Sequence, residues 1–212
     1  MSARRQINLR TLKILDEIVR FRWNALDLEQ SNNAFSKEPL GRQTRIAGAL
    51  LFSSGLIFTI FNTIAESIYP NYNIGQNALS DLGALGQSTA LLWDGQLLIS
   101  GIITLLGMWL LVFRSAYNQK ISKPAKILFL LPAIGVMIVS LFPENTILAI
   151  HSLGALLNFL AGGLAAIYSY KFSTSPFRYF AVLLGIVSLS AIPFLGSHPV
   201  IGFGGVERLV AY

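Results

Sequence analysis

The sequence predicts an all-α integral membrane helical bundle, and three observations carry that prediction. Apolar residues make up 53% of the 212 and charged residues only 12%, against about 25% charged in an ordinary soluble domain. The apolar residues fall into five continuous blocks, and none alternates with the period of two that a β-barrel strand requires. Lys and Arg rise and fall in strict alternation along the connections between the blocks. The mean hydropathy of +0.59 agrees with all three.

Residues 1–45 read as a basic arm. Within it, NLRTLKILDEIVRFRWNALDLEQ predicts an amphipathic helix, because Leu12, Leu15, Val19, Trp23 and Leu26 recur at three- and four-residue steps and share one stripe. Asp16, Arg20, Asn24 and Asp27 lie beside or opposite it. Such a helix would lie on a membrane surface, dock on a partner subunit, or cover the end of its own bundle. SNNAFSKEPLG then reads as a linker. No apolar run precedes residue 46, so a cleavable leader is not expected.

Residues 46–212 form the membrane domain. The predicted spans are 46–68, 90–113, 127–142, 147–170 and 179–195, set against the roughly 17–25 residues that a crossing needs. Pro132 falls inside the third, where a kink is tolerable if neighbours satisfy the freed carbonyl. Gly154, Ala155, Gly162 and Gly163 in the fourth would let helices approach closely. Pro143 to Thr146 reads as a plain turn, with Asn145 or Thr146 capping the helix that follows.

The arm before the first span holds nine Lys or Arg, the 69–89 loop none, residues 114–126 four, the PENT turn none, residues 171–178 two, and the tail only Arg208. The positive-inside rule then places the N-terminus in the cytoplasm and the 69–89 loop outside, in a multi-pass protein of the cell membrane. The acids complement this. Half of the ten lie in the arm; the rest are Glu66, Asp81, Asp94, Glu144 and Glu207, all on the outer side with His151 and His198.

A candidate outer-face polar site follows: Glu66, Ser80, Asp81, Asp94, His151, His198, Glu207 and Arg208. Asp94 and His151 fall about four residues into their spans, roughly 6 Å deep. Ionisable groups at that depth usually face the bundle interior or a wet cavity; with boundaries shifted by a turn they would instead reach the headgroups. Arg208 would pair with Glu66, Asp81, Asp94 or Glu207, either locking the tail onto the bundle or anchoring an anionic group such as a lipid phosphate. Ser80 and Asp81 would cap and charge a helical turn.

LSDLGA in the first outer loop, LFPEN closing the third span, IHSLGALLNF opening the fourth and GGVERLVAY near the end together resemble a family of archaeal and bacterial multi-pass membrane proteins, domain-of-unknown-function 998. The resemblance covers roughly residues 46–212. It implies a six-helix bundle whose recurrent polar positions map to Ser80, Asp81, His151, Glu207 and Arg208. In the family the Glu-Arg-Leu motif opens a sixth span; here the chain stops at Tyr212, so the last helix is expected to be absent, truncated or supplied by a partner. The resemblance implies no activity.

The absence of Cys excludes disulfides, iron–sulfur clusters and thiolate metal sites. The leading expectation is an accessory or assembly subunit, or a lipid or small-ligand binding bundle. Its partners would be membrane lipids, other membrane subunits met through the arm or the missing helix, and no nucleic acid. Whether it is an enzyme stays open. The alternative is a zinc hydrolase acting on an outer-leaflet lipid, with His151, His198 and Asp81 as ligands. That arrangement loosely resembles the alkaline-ceramidase and adiponectin-receptor type, which look to use three histidines where this chain has two. A haem between His151 and His198 is less suited, because His198 sits in a loop before a proline. Ion or proton transport through the acids is a lesser alternative.

Overall fold

A computed structural model describes residues 41–195 and 201–211. The arm, its predicted amphipathic helix, most of the linker, and His198 lie outside the described residues.

The described chain is helical, with no strand among the described residues. Helix α1 runs Arg42–Ile68, α2 Ala90–Trp109, α3 Lys123–Leu141, α4 Leu148–Tyr168, α5 Phe177–Ala191 and α6 Gly202–Ala211. Short turns extend three of them: a π turn over Leu110–Arg114 and 3-10 turns over Ser169–Lys171 and Ile192–Phe194. With these extensions, five helices are long and apolar enough to cross a membrane. The five match the five apolar blocks. The differences lie at the starts: α1 begins at Arg42, where exposed polar residues continue the helix past its apolar part, and α3 begins at Lys123, where Pro124 occupies the first turn and its fixed φ suits a helix start.

Each helix packs on the next, α1 on α2 through α5 on α6. Burial departs from that of a soluble domain in its large exposed apolar surface and its buried polar groups. Phe52, Leu91 and Phe177 are exposed, while Ser54, Asn62, Gln96, Ser100, Ser140 and His151 are buried. That is the pattern expected where lipid is the solvent and small or polar residues hold the helices together. A Cβ added at Gly135 would lie 2.5 Å from the Gly154 carbonyl oxygen, and one at Gly185 2.7 Å from that of Gly163. The α3–α4 and α4–α5 contacts are therefore backbone against backbone. Gly162 has no such role, with Pro132 Cγ at 4.0 Å its nearest neighbour.

The two ends of the bundle differ. One gathers the basic connections, and four of its cations sit on aromatic faces: Lys126 over Phe113, Arg114 over Trp109, Lys171 over Tyr168 and Arg178 over Tyr170. Such cation–aromatic girdles suit a membrane–water boundary. The other end, here termed the acidic end, carries residues 69–89, the turn at Glu144 and the helix α6.

Candidate functional site

The acidic end is assembled by long-range hydrogen bonds that begin at α6. Arg208 Nη2 donates to Glu66 Oε1 at 2.6 Å and to the Tyr72 hydroxyl at 2.5 Å. Arg208 Nη1 donates to the carbonyls of Ile74 (2.9 Å), Asn77 (3.2 Å) and Gly204 (2.9 Å). Of the four partners the sequence offered, Arg208 takes Glu66. Its bonds to Glu66 and Tyr72 outweigh burial and hold its pKa above the ordinary value. Burial outweighs the guanidinium in turn at Tyr72, whose hydroxyl is pushed up to about 12. The network continues inward: Asn62 Nδ2 donates to Glu66 Oε1 (3.2 Å), and Trp93 Nε1 donates to Asn62 Oδ1 (3.0 Å). One arginine thus ties α6 to α1 and the 69–89 segment, and Asn62 carries the tie on to α2.

Glycines make this docking close. A Cβ at Gly204 would lie 1.9 Å from the Asn77 carbonyl oxygen, and Gly202, at φ +74°, sits against Gly75. The Gly204 N–H donates to the Gly75 carbonyl at 3.1 Å. The amides of the 69–89 segment shape it for this contact: Asn73 Oδ1 accepts from the N–H groups of Gly75 and Gln76 (3.0 and 3.1 Å), and Asn77 Oδ1 accepts from Asn73 N–H (2.9 Å). Two capping expectations need correction. Ser80 caps no helix; Ser80–Gly83 forms a 3-10 turn without a side-chain cap, and Asp81 Oδ2 reaches back to Asn77 Nδ2 (3.1 Å) and Ala78 N–H (2.9 Å). Neither Asn145 nor Thr146 caps α4, because Asn145 instead bridges to both backbone groups of Leu85, at 2.8 and 3.0 Å, and Thr146 donates to the Pro143 carbonyl.

Beneath this cover lies a cavity of about 400 Å³, within the range of small-molecule sites, roughly 300–1,000 Å³. Helices α1 to α4 wall it, through residues such as Phe58, Leu97, Val136 and Ala155. Ser80, His151 and Glu207 line it as well. Glu207 Oε2 accepts from Leu79 N–H at 2.5 Å. Burial nevertheless dominates and raises Glu207 to about 7, with Glu144 and Asp81 adding in the same direction and Arg208 opposing. Glu144 contacts Ser80 and Asp81 and is itself raised, by burial first and by the Asp81 carboxyl second, against the Ser80 hydroxyl. His151 Nδ1 lies 2.9 Å from the Phe142 carbonyl. A carbonyl only accepts, so Nδ1 carries the proton and the neutral ring keeps its lone pair at Nε2.

Deeper in the bundle, Ser54 Oγ donates to the Ser100 carbonyl (2.9 Å) and pairs with Thr104 Oγ1 (2.7 Å). All three residues line the cavity, and the Ser100 hydroxyl has no hydrogen-bond partner. This polar level, and the roles of Asn62, Tyr72, Trp93 and Glu144, were not among the predicted site residues. Ser and Thr inside apolar blocks are a signal for the polar level, and the charge count had already placed Glu144 on the outer side.

Of the eight predicted site residues, Ser80, His151 and Glu207 meet at the cavity. Glu66, Asp81 and Arg208 form the supporting network around it. Asp94 stands apart: its Oδ1 is buried without a partner and would lie 2.4 Å from a Cβ at Gly83. His198 is outside the described residues. Among the described residues no three His, Asp or Glu side chains gather as a metal site.

No curated protein and no solved structure matches the chain. A family model, described as protein of unknown function (DUF998), matches residues 52–212. That match spans most of the membrane domain, including every residue of the network just described, and the chain belongs to this family.

Proposed function

We propose that the protein is a multi-pass membrane protein that binds a lipid or another apolar-tailed small molecule in its bundle. In this reading the acidic end faces outside the cell and the N-terminus the cytoplasm. The cavity of about 400 Å³ carries the reading: its wall is apolar, and Ser80, His151 and Glu207 supply a few convergent polar groups, the usual make-up of a ligand site. The Arg208 network supports it by holding α6 over the acidic end of the bundle. The alternation of positive charge supports the orientation.

Native mass spectrometry of the protein ejected from nanodiscs tests the binding. A retained molecule at one per chain, lost in Ala155→Phe, is the expected result; a bare chain in both forms would overturn it. The orientation has its own test, made clean by the absence of Cys. An impermeant maleimide should label Gln76→Cys in intact cells and spare Gln119→Cys.

A second reading rests on His151 and Glu207 sharing the cavity. A zinc ion held by His151, His198 and Asp81 would activate water against a lipid ester or amide, and Glu207 would serve as base. Elemental analysis of protein purified without chelator favours this reading if zinc is stoichiometric and lost in His151→Ala. A blank in both removes this reading.

A further inference from the structure

The end of the cavity lined by Ser80 and Glu207 is short of positive charge. Glu207 lies on the cavity, and the carboxyls of Glu144 and Asp81 act on it through space. Glu144 in turn meets both Ser80 and Asp81. Arg208 acts on Glu207 in the opposite sense, but its charge is already paired with Glu66, and its five hydrogen bonds go to Glu66, Tyr72 and three carbonyls. It does not line the cavity. Among the described residues, three carboxyls therefore converge here with no hydrogen-bonded cation of their own.

Away from these groups the wall is mostly apolar, through Leu97, Met108, Val136 and Phe159, with Asn158 the polar exception beside the Ser and Thr level described next. Ser54 lies roughly 20 Å along α1 from its Ile68 end, and there Ser54, Ser100 and Thr104 form the polar level. Ser100 is buried, lines the cavity, and has a hydroxyl without a partner. An unsatisfied buried hydroxyl is costly, and this level marks how far the apolar part of the space runs from the acidic end. The shape is a long apolar space with a carboxyl group at one end and a hydrogen-bonding group farther along.

Resting on the ligand-binding reading above, we infer that the cavity takes a single-chain cationic amphiphile, its ammonium against Glu207 and His151 and its alkyl chain along the apolar wall. His151 fits this pairing, because its neutral Nε2 accepts a hydrogen bond from an N–H⁺ donor. A fatty acid or phosphate headgroup would meet Glu207, Glu144 and Asp81 with the same sign of charge.

The test uses Trp93, which lines the cavity and is only 4% exposed. The full chain, with Trp23 and Trp109 replaced by Phe, is placed in nanodiscs of zwitterionic lipid. Dodecylamine and dodecanol, each brominated at mid-chain, are compared as quenchers at matched bilayer concentrations. The amine is expected to quench Trp93 at about tenfold lower concentration than the alcohol, the ratio for one useful charge contact. In Glu207→Gln, where the amide oxygen still accepts from Leu79 N–H, the two should quench alike. Equal quenching in the unsubstituted protein overturns the cationic preference and leaves ligand binding standing. No quenching by either, while a single-Trp109 form is quenched from the lipid, overturns the ligand-binding reading itself. Should Glu207→Gln fail to assemble, the amine-to-alcohol ratio in the unsubstituted protein decides alone.

Discussion

At the scale of single residues, Arg208 and Glu207 are neighbours with opposite duties. Arg208 is structural. Its guanidinium makes five hydrogen bonds to groups distant in sequence or on α6, and a point charge on a lysine stem would not reach them together. Arg208→Met is expected to cost about 2–3 kcal/mol, the scale of a hydrogen-bonded charge removed from a half-buried site. Thermal unfolding in detergent reads it, and an unchanged melting temperature would contradict the role. Glu207 is the titrating member. Its value in the folded chain, about 7, lies above the ordinary 4.5, so the folded protein holds a proton that the unfolded chain releases. That contribution to stability is present in full below about pH 4.5 and is lost as pH rises through about 7. The melting temperature should therefore fall across that window. Glu207→Gln should flatten the fall in part, with Glu144, shifted the same way, supplying the remainder; an unaltered slope would count against Glu207. The charge count made the Arg208–Glu66 pair legible as one of four choices. Nothing in the sequence showed that three carbonyls and Tyr72 would join it, because backbone acceptors carry no sequence signature.

At the scale of elements, the five spans were legible because each is an unbroken apolar block, and composition alone decides whether a helix can sit in lipid. The docking of α6 was not. It depends on Gly202 and Gly204 meeting Gly75 and Asn77, a contact across more than half of the chain. A glycine that permits close approach looks in sequence like any other. The same reason hid Asn145, whose bonds to Leu85 left α4 without the cap expected of it. Two alanine substitutions separate the kinds of glycine. Gly204→Ala places a Cβ 1.9 Å from a carbonyl oxygen and should cost about 1–3 kcal/mol, with faster proteolysis of α6. Gly162→Ala meets only Pro132 Cγ at 4.0 Å, an ordinary contact, and should be neutral or stabilising by about 0.5–1 kcal/mol, the helix-propensity gain. Equal effects at the two positions would contradict the packing described.

At the scale of the whole molecule, the charge pattern had already gathered Ser80, Asp81, His151, Glu207 and Arg208 at one end of the bundle. The cavity beneath them was hidden, since a void is what side chains from four helices fail to fill. At about 400 Å³ this void is sized for a ligand. Ala155 lines it from α4, and the most direct measurement is the melting temperature of delipidated Ala155→Phe against that of the parent. If the space exists, the larger side chain enters it and the melting temperature holds or rises. If the helices close on one another there, Phe overpacks the bundle at a cost of about 1–3 kcal/mol, and the melting temperature drops by several degrees.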